Sequence, residues 1–213
     1  MSDVRLNLGS GPVAVPGWVN IDRSPNVLLQ RVPAVKRGLR RAGVLNDQHM
    51  AAWAADVQRI DMVKGLPYPD GSVQAIYSSH TFEHLYLADV RVLMIECHRV
   101  LAADAVMRVA LPDAEQWARD LLAGVAQDGE TAGLTFNRRI GSHHFDRPRG
   151  IRKLTALGAG SLHRWQPTRD LVRELFDEAG FGHVVERAYR VGDLPDLAVI
   201  ETRPESLFFE ATR

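Results

Sequence analysis

Short apolar runs alternate with longer helical patterns along this chain. Val4-Arg5-Leu6-Asn7-Leu8 is mostly apolar and stops at Gly9-Ser10-Gly11, which predicts a buried strand feeding a tight, glycine-dependent turn. Trp18-Val19-Asn20-Ile21-Asp22 predicts a second strand ending on a carboxylate, and Arg59-Ile60-Asp61-Met62 a third. Between them, residues 27–57 follow a helical pattern that Pro33 and Gly38 interrupt. Val73 to Ser79 reads as the fourth strand, after the turn chemistry of Leu66-Pro67-Tyr68-Pro69-Asp70-Gly71-Ser72. From about Leu87 to Leu101, the residues Val90, Leu93, Cys97, Val100 and Leu101 share one helical face. Ala105 to Leu111 is the fifth strand, ended by Pro112; Asp113 then caps a helix, and Gln116 completes a capping box. Residues 131–166 are the least regular stretch, of the length usual for a functional loop. A helix over Thr168 to Ala179 is stopped by Gly180. Two strand-like runs follow, His183 to Tyr189 and Leu197 to Thr202, and Ser206 to Glu210 extends the sheet.

Strands separated by helices imply a parallel sheet, and the closing pair is antiparallel because its connection is too short for a crossover. A chain of 213 residues holds one sizeable domain. The expected plan is a single domain over 1–213, with an irregular helical insert at about 24–57 and a substrate lid at about 131–166.

Composition narrows the class of protein. Lys+Arg and Asp+Glu are 26 each, so bulk electrostatics does not recruit the chain to nucleic acid or an anionic membrane. The lone Cys97 excludes an internal disulfide framework and fits a reducing compartment. The N-terminus lacks the basic and apolar regions of a signal peptide, and no apolar run reaches the roughly 18–20 residues that span a bilayer. A cytoplasmic protein with a small-molecule or oligosaccharide substrate and no membrane partner is expected; a homodimer is compatible with this reading.

The chemistry gathers at strand ends. On such a sheet a nucleotide-like ligand binds at the carboxyl ends of the strands, near the reversal of strand order. Gly9, Ser10 and Gly11 follow strand one, Asp22 ends strand two, and Asp61 ends strand three. Glycines let backbone approach a ligand where a Cβ would collide. Asp22 can accept both ribose hydroxyl hydrogens, Asp61 the adenine amino group, and Met62 can pack on the ring. Any one of these alone reads as an ordinary turn or surface cap; three at successive strand ends do not. A dinucleotide site is disfavoured, because position 14 is Ala where the third glycine of the fingerprint belongs, and Pro12, Pro16 and Gly17 discourage a helix before Trp18.

The segments VRLNLGSGPVAVPGWVNIDRS, LPYPDGSVQAIYSSHTFEHL and ECHRVLAADAVMRVALPD together resemble the class I S-adenosylmethionine-dependent methyltransferases. They are most similar to a small branch carrying Gly-Trp-Val-Asn-Ile-Asp after the glycine loop, whose relatives often accompany polysaccharide synthesis. Sugar O-methyltransferases, including those of methylmannose polysaccharides, are the members to compare first. The resemblance implies a Rossmann-like α/β fold: a seven-stranded, mostly parallel sheet with an antiparallel last strand and helices on both faces. It implies S-adenosyl-L-methionine contacts at Gly9, Ser10, Gly11, Asp22 and Asp61, and further contacts around Ser79 and His80.

An O-methyltransferase must position its acceptor and remove a proton, for which histidine is the usual base near neutral pH. His144, in Gly141-Ser142-His143-His144-Phe145, is the first candidate, with His143 next and Glu83 third; each histidine alone reads equally well as an exposed loop residue. A divalent ion such as Mg2+ held by histidine and carboxylates is a second option that no ligand spacing decides. His80-Thr81-Phe82-Glu83-His84 matches the H-x-x-E-H zinc-peptidase signature. It follows a strand directly in a chain too small for such a peptidase, so the match reads as accidental, and the segment as a post-strand loop touching cofactor and substrate in which Glu83 and His84 have a structural reading beside the catalytic one. His163-Arg164-Trp165 offers a stacking surface to a sugar, or packing at a helix entry. The basic run Lys36-Arg37-Gly38-Leu39-Arg40-Arg41 reads as a solvated helix face. It would be the footprint of an RNA methyltransferase, the first alternative to a sugar enzyme. A non-catalytic S-adenosylmethionine-binding module is the second.

Overall fold

Leu6 and Leu8 alternate with Asn7 along the first strand of the computed structural model, which describes residues 3–45, 50–141 and 162–213. The strands are β1 (Val4–Leu8), β2 (Val19–Asp22), β3 (Gln58–Arg59), β4 (Val73–Ser79), β5 (Leu101–Pro112), β6 (Gly182–Arg187) and β7 (Ser206–Thr212). They form one seven-stranded sheet in the order β3-β2-β1-β4-β5-β7-β6. The first five pair in parallel, and β7 runs antiparallel to both its neighbours. The fold is the Rossmann-like one, and strand order reverses between β1 and β4, where such sheets open a binding crevice.

Among the described residues the helices are α1 (Asn26–Leu29), α2 (Pro33–Arg41), α3 (Leu87–Val100), α4 (Ala114–Leu122), α5 (Ala132–Arg139), α6 (Arg169–Glu178) and α7 (Leu197–Ile200). Period-2 alternation sorts the strands into two faces. Leu6, Leu8, Met107, Val109 and Phe209 meet α3 and α6 in the main core, through Leu93 and Cys97 on one helix and Leu175 and Phe176 on the other. Cys97 is a free, fully buried thiol whose pKa burial pushes up, as a core residue's should be. The opposite face packs Ala75, Tyr77, Ala110 and Phe208 against Trp18, Leu194, Leu197 and Ile200.

That second face carries a cluster of three buried charges. Arg108 on β5 is fully buried beside Glu201 and Glu210. It donates through Nε to Glu201 and through Nη1 to Glu210 at 2.9 Å, and caps the carbonyls of Val191 and Ala188. Glu210 also accepts from the backbone N–H groups of Asp193 and Leu194. One guanidinium therefore ties β5, β7 and the 188–201 segment together.

Local readings differ from the structure in three places. Leu197 to Thr202 is not a strand. Asp196 adopts the left-handed conformation (φ 60°) with its carboxylate taken by Trp18 and Arg5, and Leu197 and Ile200 bury one helical turn, α7. The antiparallel partner is instead Ser206–Thr212, inserted between β5 and β6. The third strand stops at Arg59, and Met62–Lys64 is a 3-10 turn. Asp113 accepts from the Gln116 N–H at 2.8 Å, but the Gln116 side chain donates forward to Asp120, so the capping box is half formed.

Candidate active site

The glycine loop closes over the end of β2. The N–H groups of Gly9 and Ser10 both donate to the Ile21 carbonyl, at 2.8 and 3.0 Å. Gly9 (φ 71°) is packed so closely that a Cβ there would stand 2.0 Å from Thr81 Oγ1. Gly11 (φ 64°) also needs the left-handed backbone, yet a Cβ on it would meet nothing within 4 Å. The two glycines thus have different tasks: the first joins the loop to the segment after β4, the second leaves open space above the sheet. Gly9→Ala is expected to lose about 1–3 kcal/mol of stability, read as the urea unfolding midpoint. Gly11→Ala should lose less than Gly9→Ala and chiefly weaken ligand binding. Equal unfolding midpoints for the two variants would refute this division.

Asp22 organises the same loop. One carboxylate oxygen accepts from the Gly11 N–H at 3.0 Å and the other from the Ser24 N–H at 2.7 Å. Each oxygen keeps a further lone pair for a ligand hydroxyl. Asn20, two residues earlier and buried, braces the remainder. It accepts from Asn7 and the Val15 N–H and donates to the carbonyls of Val15 and Trp18. A parallel connection usually needs a helix, but here residues 9–18 cross as a loop held by one amide side chain. The motif around Asn20 does not by itself announce this role; its one signal in the sequence is a polar residue inside an apolar strand.

Asp61 stands at the third strand end, with its Oδ1 buried and without a hydrogen-bond partner. Arg23 lies 3.9 Å from that oxygen, an ion pair beyond hydrogen-bond length. A buried acceptor lacking a donor and a Cβ-free approach at Gly11 could together hold an adenosyl ligand. Met62 does not join them. At 2% exposure it is packed into the main core, so it offers no surface to a ring. Ser79 contributes its carbonyl, which accepts from Thr81 Oγ1 at 3.0 Å.

His80 follows β4 in a left-handed conformation (φ 47°), uncommon for a residue with a Cβ. Its Nε2 lies 2.8 Å from Ser206 Oγ and its Nδ1 lies 3.4 Å from Glu83 Oε1. His80 lines a groove of about 410 Å³ together with Gln116, Trp117, Asp120, Arg139 and His163. The neighbouring Thr81 touches the glycine loop, at 3.4 Å from the Gly9 carbonyl. The groove and the glycine loop are therefore neighbours across residues 80–81.

Of the three residues assigned to substrate from the sequence, His163 lines the groove. Arg164 and Trp165 brace its support instead. The Arg164 N–H donates to the Glu83 carbonyl at 2.7 Å, its guanidinium stacks 4.0 Å over Tyr86, and the Trp165 indole donates to the Phe82 carbonyl. Glu83 is fully buried beneath the groove. Lys36 is also buried, donating to the Ala51 carbonyl, so the basic run is not wholly a solvated face. His143, His144 and most of the expected lid lie outside the described residues.

Residues 17–109 match the family model of a methyltransferase domain. The match begins after the glycine loop and takes in β2 to β4 and most of β5. No curated protein matches the sequence. Among solved structures, PigF with SAH is similar at 12% identity and TM-score 0.50, over 99% of this chain and 50% of that one. A SAM-dependent methyltransferase from Archaeoglobus fulgidus is similar at 12% identity and TM-score 0.49, over 99% and 86%. The citrinin polyketide synthase CMeT domain is similar at 12% identity and TM-score 0.48, over 98% and 46%. The chain thus spans about half the length of PigF and of the citrinin synthase structure, and at such identities the likeness is one of fold. The matched family is that of a methyltransferase domain, over less than half of the chain. No helix among the described residues is long and apolar enough to cross a membrane.

Proposed function

We propose that this chain is an S-adenosylmethionine-dependent O-methyltransferase acting on a hydroxyl of a sugar or glycan precursor. The observation that carries the acceptor class is the groove beside the glycine loop. There the half-buried Trp117 is flanked by the amide of Gln116, the carboxylate of Asp120 and the guanidinium of Arg139. An aromatic face packs against the C–H face of a sugar ring, and planar polar groups around it read the hydroxyls. Burying apolar surface on one side while satisfying many polar groups at the rim is what a carbohydrate demands of a site.

The cofactor, when bound, supplies a methyl group on a positively charged sulfur. The chain's own work is to hold and orient. Gly11 and Asp22 would fix the adenosine, with Asp61 at its amino edge. The groove would hold the hydroxyl at the cradle's edge, and a histidine would take the hydroxyl proton. His144 is the base expected from the sequence. His80 is a described histidine that lines the groove, with Nε2 bonded to Ser206.

The test is transfer of a labelled methyl group from S-adenosylmethionine to mono- and oligosaccharides, RNA and small phenols. Saccharide acceptors should be labelled, and Trp117→Ala should raise the acceptor KM about tenfold while S-adenosylhomocysteine binds unchanged. His80→Ala and His144→Ala separate the two candidate bases: the base variant keeps cofactor affinity and loses turnover. Labelling of RNA alone would replace this reading with the nucleic-acid one. Cofactor binding without any product would favour the non-catalytic module.

A further inference from the structure

We propose that Glu83, His84 and His163 form a binding site for a divalent transition-metal ion, Zn2+ being the ion their chemistry suits. One ligating atom from each lies within 4.8 Å of the others. Glu83 sits in the 3-10 turn Phe82–His84, is fully buried, and neither of its carboxylate oxygens has a hydrogen-bond partner. Nδ1 of His163 is likewise buried and unpartnered.

The tautomer of His84 sharpens the case. Its Nδ1 lies 3.3 Å from the Leu162 carbonyl, which can only accept, so Nδ1 carries the hydrogen. The other ring nitrogen, Nε2, faces Glu83 Oε1 at 3.9 Å. A buried carboxylate that has His80 Nδ1 at 3.4 Å and His84 Nε2 at 3.9 Å, yet makes a hydrogen bond to neither, has room for a cation at its face, and the longer gap is too wide for a shared proton. A single proton would in any case satisfy one pair and leave His163 and the second carboxylate oxygen unpaired. A metal about 2.1 Å from each ligand brings tetrahedral donors to about 3.4 Å from one another, so the cluster needs only a modest contraction. Donation from a metal-bound histidine's other nitrogen to a carbonyl is also the usual outer support of such sites.

The donor set selects the ion. Two imidazoles and one carboxylate suit zinc and its neighbours, whereas Mg2+ prefers oxygen and retains its waters. The chain segment His80-Thr81-Phe82-Glu83-His84 matches a zinc signature, but not in the manner of a peptidase helix. His80 precedes the turn and is bonded to Ser206, and His163 arrives from a distant part of the chain. His163 also stacks on Trp117, with ring centroids 6.2 Å apart and planes within 12°. The ion would staple residues 162–166 to the turn after β4 and set one wall of the groove.

The experiment uses the tag-free full chain, titrated with Zn2+ by calorimetry after chelator treatment, with elemental analysis of the untreated protein. Stoichiometric binding is expected, and tetrahedral visible absorption on replacement by Co2+. His163→Gln, a substitution at a partly exposed position, should weaken Zn2+ binding by more than about 100-fold while S-adenosylhomocysteine binds as in the parent. His84→Gln provides a second variant should His163→Gln fail to fold. Absence of Zn2+ binding, or binding that both variants retain, overturns the site. Because metal binding is read without cofactor or acceptor, a failed methyl-transfer assay leaves this result independent.

Discussion

Asp22→Ala is expected to weaken S-adenosylhomocysteine binding roughly 100- to 20,000-fold in a calorimetric titration. Two hydrogen bonds from ribose hydroxyls to one carboxylate contribute about 1.5–3 kcal/mol each, and each 1.4 kcal/mol is about tenfold. The loss has a second source. The same carboxylate holds the Gly11 and Ser24 N–H groups, so its removal also frees the loop that must meet the ligand. Asp22→Asn separates the two contributions. It keeps one acceptor oxygen but loses the charge and the second acceptor, and should fall between parent and alanine variant. Affinity within about threefold of the parent for Asp22→Ala would remove Asp22 from the ribose contact and with it the proposed cradle.

The largest effect on stability is expected at Arg108, far from any ligand. Arg108→Met should cost about 3–5 kcal/mol, because it removes the guanidinium that two buried carboxylates share, leaving Glu201 its Arg190 N–H and Glu210 its pairing with Arg187. Both carboxylates are almost completely buried. In a chain of this length that is roughly 6–20 °C of melting temperature. Neutralising all three positions together, as Arg108→Met with Glu201→Gln and Glu210→Gln, should recover most of the loss, since no charge is then left unpaired. A single-variant loss below about 1 kcal/mol would mean that water reaches the cluster and that β5, β7 and the 188–201 segment are held by packing alone.

These two residues differ in how they show themselves in the sequence. Asp22 ends an apolar run after a glycine loop, a position where a carboxylate has few structural reasons to stand. Arg108 sits in the run Val106-Met107-Arg108-Val109, where alternation alone would send it to solvent. Its burial depends on Glu201 and Glu210, 93 and 102 residues away, and no local pattern encodes that meeting. Trp117 shows the same limit at the site. Asp113 sets where α4 starts, and Gln116 and Asp120 lie one turn apart on it. That this face lines a groove with His80 and Arg139 follows only from where β4 and α5 end. Met62 errs in the opposite direction: adjacent to Asp61 in sequence, it is turned into the core by the 3-10 turn that follows β3.

What the amino-acid sequence determined by itself was local and periodic. Buried strands alternate with amphipathic helices, glycines stand where the backbone must turn left-handed, and acids stand at successive strand ends. Each is a short-range demand of sterics or patterning, legible within a few residues. The tertiary structure decided what long-range contact alone can decide. It placed the last strand between β5 and β6, turned Leu197–Ile200 into a helix, buried Arg108 against two glutamates, and brought His163 to Glu83. Those outcomes rest on side chains distant in sequence satisfying one another's charge and hydrogen bonds in the interior, and such pairings have no period to read.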